Sequence, residues 1–175
     1  DPKVNIVTLA GPAGTGKTMI ALYAGLCQAV DDWHTVIPKQ AQYNRLIVTR
    51  PIQPMGKDIG YLPGTLEEKM SPWVAPINDN LQFLLGNGRD SLKEYVAEGI
   101  IEIEALTYIR GRSINNAFIV VDEIQNMTAH ELKTVITRVG ENSKIVLMGD
   151  IEQIDNVYID ETTNGLTYAV EKFKE

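Results

Sequence analysis

The sequence is poor in the residues that build cross-linked or metal-stapled proteins. It has one cysteine, Cys27, and two histidines, His34 and His130, in 175 residues. A disulfide framework is excluded, and a zinc site of the usual Cys/His kind lacks donors. Cys27 is read as a core thiol, which fits a reducing, cytoplasmic setting. No apolar run approaches the roughly 20 residues a membrane helix needs, and no signal peptide is visible. Positive charge is also short: 16 Lys and Arg against 23 Asp and Glu leave a net charge of −7. A general polyanion-binding surface is therefore excluded, and any nucleic-acid contact must be a local basic patch.

What is present is concentrated near the start. Residues 11–18, Gly11-Pro12-Ala13-Gly14-Thr15-Gly16-Lys17-Thr18, are a complete G-x-x-x-x-G-K-[ST] phosphate-binding loop. Val4–Ala10 before it is apolar and β-branched, and reads as a buried strand; Met19–Leu26 after it reads as a buried helix. Glycines let the backbone turn its N–H groups inward around an anion, and a helix start adds partial positive charge there. Lys17 is placed to reach the outer phosphates, and the Thr18 hydroxyl to hold Mg²⁺. The ligand expected is a nucleoside triphosphate with magnesium.

Further strands are expected at Leu46–Thr49, Ile100–Ala105, Ala117–Val121 and Lys144–Met148, the second of these near an edge because it alternates. Helices are expected from three capping boxes, at Thr65–Glu68, Ser91–Glu94 and Thr128–Glu131. The first should be interrupted near Pro72 and Pro76 before resuming to Leu85; the third should run to Val139 and close at Gly140. Asp31–Asn44 reads as a loop in which Trp33 packs on the helix rather than stacking on a base, and Ile52–Gly64 as a long functional loop. Thr107–Ser113 reads as a basic, aromatic turn. His130 is expected to be exposed. Strands alternating with helices predict an α/β domain over 1–175, a mainly parallel sheet with helices on both faces. The chain is expected to be a fragment of a longer protein.

Four strand ends carry polar groups: the phosphate loop, Arg50-Pro51, Asp122-Glu123, and Gly149-Asp150 with Gln153. Parallel strands deliver their carboxyl ends to one edge, so these groups can converge. The apolar run into Asp122 is a Walker B pattern whose carboxylate can hold Mg²⁺. Glu123 is placed to deprotonate an attacking water. Gln153 can sense the terminal phosphate. Arg110 and Arg112 are open to two readings, phosphate contact or a solvated turn.

Four stretches, GPAGTGKT, RPIQPMGKDIGYLPG, YIRGRSINNAFIVVDEIQNMT and LKTVITRVGENSKIVLMGDIEQID, resemble the PhoH family of ATPases, which is similar in turn to the first RecA-like domain of superfamily-one helicases. The resemblance covers nearly the whole chain and implies a RecA-like P-loop NTPase hydrolysing ATP. It assigns Lys17 and Thr18 to Walker A, Asp122 and Glu123 to the helicase DE pair, Gln153 to the GDxxQ motif and Arg50 to the strand-end arginine near nucleic acid. Ile124-Gln125 departs from the commoner Ala-Gln. The tail DNVYIDETTNGLTYAVEKFK is most similar to members fused to an N-terminal PIN ribonuclease domain, which implies a helicase or translocase on single-stranded RNA with the nuclease outside this chain. No glutamine precedes Gly11 to read adenine, and no second RecA-like domain is present. The transition-state arginine is then expected from a neighbour in a homo-oligomeric ring, with Arg110, Arg112 and Arg138 as candidates. Two other classes share the phosphate loop: a nucleotide or small-molecule kinase with the Arg110–Arg112 turn as lid, and a non-enzymatic assembly module. A GTPase switch is disfavoured because no Asn-Lys-x-Asp motif follows the core strands.

Overall fold

The computed structural model describes residues 3–31, 40–51, 66–86, 92–109, 111 and 113–173; side chains at 66–73, 107 and 108 are outside this description. The expected strands form at β1 (Ile6–Ala10), β2 (Arg45–Arg50), β3 (Ile101–Ala105), β4 (Ala117–Val121) and β5 (Lys144–Gly149). They make one sheet in the order β1-β5-β4-β2-β3, and every pairing is parallel. Such a sheet needs both faces covered. The central strand β4 is buried throughout, and β3 lies at the edge that its alternation predicts. The first strand, expected to be buried, forms the other edge and is only half-buried, with Ala10 exposed.

Alternate residues of each strand feed two cores. On one face Leu46, Val48, Phe118, Val120, Val146 and Met148 meet α1 (Lys17–Ala29), α2 (Leu66–Leu85) and α3 (Leu92–Ala97). On the other Ile47, Ile119, Val121, Ile145 and Leu147 meet α4 (Leu106–Ile109), α5 (Ala129–Ile136) and α6 (Gly165–Lys172). The helices that accompany steps toward β3 lie on the first face, and those that accompany the return toward β1 on the second, as one handedness of crossover requires. Gly25 lets α1 approach closely: a Cβ there would meet Leu46 Cδ1 at 2.7 Å and Phe118 Cδ1 at 3.1 Å.

Several local expectations are corrected. Helix α2 passes through Pro72 and Pro76 without interruption. Each proline removes a helix hydrogen bond. The compensation visible here is that Ile77 and Leu81, one turn apart, are buried in the core, while Pro76 points outward and its carbonyl accepts from Asn80 Nδ2 at 2.9 Å. Burial of such side chains contributes about 1.5–3 kcal/mol each. A helical turn, α4, directly follows β3 and takes up the start of the expected basic, aromatic turn. Helix α5 has the predicted capping box but stops at Ile136, and Gly140 N–H donates to Ile114 O instead. Cys27 is half-buried rather than in the core, on the Tyr23 side of α1; its hydrogen bond raises the Tyr23 phenol. His130 is exposed, as expected. Trp33, His34, the loop Ile52–Gly64, the caps at Thr65 and Ser91, Arg110 and Arg112 lie outside the described residues.

Candidate active site

The phosphate loop leaves β1 and turns into α1 through two left-handed glycines, Gly14 at φ 72° and Gly16 at φ 82°. Gly16 is the residue before α1, so the first-turn amides of the helix open at the loop mouth. Thr15 Oγ1 donates to Pro12 O at 2.8 Å and closes the loop on itself. Lys17 Nζ donates to Gly11 O and Pro12 O, both at 2.7 Å, which holds the ammonium across the mouth.

Strand β5 lies between β1 and β4. Strands are spaced by about 4.8 Å, so the ends of β1 and β4 stand roughly 10 Å apart, and side chains must close that gap. Thr18 Oγ1 donates to Asp122 Oδ2 at 3.3 Å. Asp122 is almost fully buried, and its carboxyl is raised above the ordinary range, first by burial and then by the neighbouring Glu123 charge; Arg50, the Glu123 N–H and the Thr18 hydroxyl offset this only in part. Two hard oxygens side by side, one an under-compensated carboxylate, fit Mg²⁺, which takes few protein ligands and leaves the rest to water and phosphate. Among the described residues no group of three or more His, Cys, Asp or Glu forms another metal site.

Glu123 sits at φ 56°, a left-handed conformation that costs a non-glycine residue on the order of 1 kcal/mol. This turn breaks the line of β4 and starts the 3-10 turn Ile124–Asn126. Its carboxylate has two partners: Arg50 Nη2 lies 3.3 Å from Oε1, and Gln125 Nε2 donates to Oε2 by a short bond.

Gln125 joins the site, although the sequence marks it only as a departure from the commoner pattern. It is fully buried. Besides Glu123, its Nε2 donates to Gln153 O at 3.0 Å, and its Oε1 accepts from Asp150 N–H at 3.2 Å. One amide thus ties the end of β4 to the segment after β5. Gly149 is required for that approach, because a Cβ there would stand 2.5 Å from Gln125 Oε1. The next residue, Asn126, accepts from Asp155 N–H at 2.8 Å and Asn156 N–H at 3.2 Å. Asp150 reaches back the other way: its Oδ2 accepts from Ala13 N–H at 2.7 Å, fixing the loop against β5.

These groups surround one cleft of about 330 Å³, lined by Ala13, Gly14, Gly16, Lys17, Thr18, Asp122, Glu123, Asp150 and Gln153. Asn80 of α2 also lines it, a residue no sequence signal marked. Arg50 does not line the cleft but contacts Glu123, which does. Arg138 does not join them: it follows α5, and its carbonyl accepts from Ile114 N–H ahead of β4, at the amino edge of the sheet. Its Nε is buried without a hydrogen-bond partner.

An all-parallel α/β sheet, with a glycine-rich phosphate loop on β1 and an acidic pair two strands away, defines a RecA-like P-loop NTPase. Comparison with known proteins agrees. The profile described as "PhoH-like protein" matches residues 2–175, and the chain belongs to this P-loop ATPase family. It is 56% identical over 173 residues to "Protein PhoH2" of Bacillus subtilis, covering 98% of this chain and 37% of that protein. It is 43% identical over 150 residues to "PhoH-like protein" of Mycobacterium leprae, covering 86% and 40%. Against "Protein PhoH2" of Mycolicibacterium smegmatis it is 39% identical over 175 residues, covering 99% and 38%. The chain therefore spans about two fifths of the length of these relatives.

Proposed function

We propose that this domain hydrolyses ATP, and that in the intact protein it works as a motor on single-stranded RNA. The observation that carries the reading is the shared cleft: Lys17, Asp122, Glu123 and Gln153, far apart in sequence, line one space of about 330 Å³. Lys17 and the loop amides bind the phosphates. Thr18 and Asp122 hold magnesium, which when bound neutralises developing charge on the transferred phosphoryl group. Glu123 orients a water and takes its proton. Gln153 lies where a side-chain amide can report the terminal phosphate, and Gln125 carries that report to the Glu123 carboxylate. A general base beside the phosphate loop favours water as acceptor, which weighs against a kinase.

The relatives are more than twice as long as this chain, which leaves room for the PIN ribonuclease that the resemblance implies. In this reading the motor feeds RNA to that nuclease in the cytoplasm. Among the described residues no helix is long and apolar enough to cross a membrane. Arg138 is on the sheet edge opposite its own phosphate loop, so in a homo-oligomeric ring it serves a neighbour's site rather than its own. Arg110 and Arg112 remain candidates for the same role or for RNA contact.

The test is phosphate release by the full-length protein with and without single-stranded RNA, for wild type and Lys17→Ala. Turnover that RNA raises and the substitution abolishes is expected. Equal phosphate release by the two proteins would end the reading.

A further inference from the structure

The ion pair between Arg50 and Glu123 has a direction. Arg50 ends β2, which flanks β4 on the side away from β5 and β1. Its Nη2 contact at 3.3 Å therefore draws Oε1 of Glu123 toward β2 and away from the phosphate loop. With Gln125 on Oε2, both oxygens of the candidate base are held by donors. The two tethers differ in kind. Gln125 is fully buried and locked by two further hydrogen bonds. Arg50 is reachable: its side chain is 28% exposed and the Glu123 side chain 25%. A long, partly solvated pair of this sort binds weakly. The contact to Glu123 is a single N–H bond, whereas a phosphate can take the guanidinium with two parallel N–H bonds.

The surroundings point to the same ligand. With a net charge of −7, a nucleic-acid strand needs particular cations to hold it. Arg50 is one, at the end of β2 on the carboxyl edge of the sheet.

We propose that Arg50 couples strand binding to hydrolysis: it keeps Glu123 turned from the phosphate loop until a phosphodiester of a bound single strand takes the guanidinium. The freed Oε1 then swings toward the loop, still steadied by Gln125 through Oε2, and accepts the proton of the attacking water. Arg50 is thus a positioning residue acting through Glu123 and a backbone contact for the polymer. The idea rests on the ATPase reading above.

The experiment uses the full-length protein and measures ATP turnover alone, with uridine homopolymer RNA and with thymidine single-stranded DNA, for wild type, Arg50→Ala and Arg50→Gln. Polymer affinity is read in parallel by fluorescence anisotropy. Wild-type turnover should rise with polymer. Both variants should turn over ATP about fivefold or more faster than wild type without polymer, the lower end of usual coupling between sites. They should show little further stimulation and bind polymer more weakly. Stimulation by RNA alone assigns the ligand as RNA; stimulation by both polymers assigns the shared phosphodiester backbone. Arg50→Gln retains a polar donor and covers the case in which the alanine variant does not fold. Variants slower than wild type without polymer, with the stimulation ratio unchanged, would overturn the proposal, as would a wild type indifferent to both polymers. In either case the ATPase reading would stand. Absence of turnover in every arm would instead remove the ATPase reading itself.

Discussion

Replacing Gln125 by methionine is the most informative single change to this domain. The two side chains have similar length and volume, so the cavity term is small. Every hydrogen bond of the amide is lost at once. The buried Asp150 N–H loses its acceptor, which costs about 1–3 kcal/mol. Gln153 O and the Glu123 carboxylate lose donors, but Glu123 is partly exposed and water replaces much of that contribution. Removing a buried amide from the desolvation account returns about 1 kcal/mol. The net expectation is a loss of about 1–3 kcal/mol. At 2–4 °C per kcal/mol for a domain of this size, the melting transition falls by roughly 2–12 °C. Calorimetry on the intact protein reads this in the transition that added ATP shifts upward, since only the nucleotide-binding domain responds to ATP. Turnover should fall as well, because Glu123 loses the tether that keeps it over the cleft. A transition within about 1 °C of wild type would show that the amide bridges nothing of consequence, and the link between β4 and the segment after β5 would have to be abandoned.

Glu123→Gln removes the proton acceptor while keeping its shape, so turnover should drop about 10²–10⁴-fold with the ATP-induced thermal shift retained; loss of binding along with turnover would argue for a structural role. Asp122 has its carboxyl raised by burial, so the folded state disfavours its ionised form. The cost is present above the folded-state value and disappears as pH falls below the ordinary one. Asp122→Asn should therefore melt higher than wild type at neutral pH, lose that advantage in acid, and lose the magnesium-dependent part of the ATP shift; equal melting at both pH values would contradict the burial argument. Gly25→Ala forces a methyl to 2.7 Å from Leu46 Cδ1 in a buried seam, which should cost about 1–3 kcal/mol in a calorimetric scan and leave kcat/KM unchanged.

Much of this was legible in the chain itself, for a physical reason. The phosphate loop is local: eight consecutive residues, with glycines where the backbone turns left-handed, between a strand and a helix that periodicity reveals. The same holds for the five strands, because a parallel sheet covered on both faces demands nearly continuous apolar runs. The rule that parallel strands end on one edge then put Lys17, Asp122, Glu123 and Gln153 together before any coordinates. Helix α2 was misjudged because proline's local cost was weighed without the core contacts of Ile77 and Leu81, which belong to other segments.

The remainder was settled only by the folded chain. Strand order depends on which apolar faces stack, and composition does not encode it; placing β5 between β1 and β4 is what sets the distance Asp122 and Thr18 must bridge. Nothing near Asn80 marks it as a cleft residue, because it enters from a helix whose sequence speaks only of packing. Arg50 and Glu123 are 73 residues apart, and Gln125 reaches Gln153 across 28. Such pairings are long-range contacts between polar groups, and polar side chains carry no periodic signature. The sequence by itself determined the chemistry available at the site; tertiary structure decided which of those groups hold one another, and so which way the Glu123 carboxylate points.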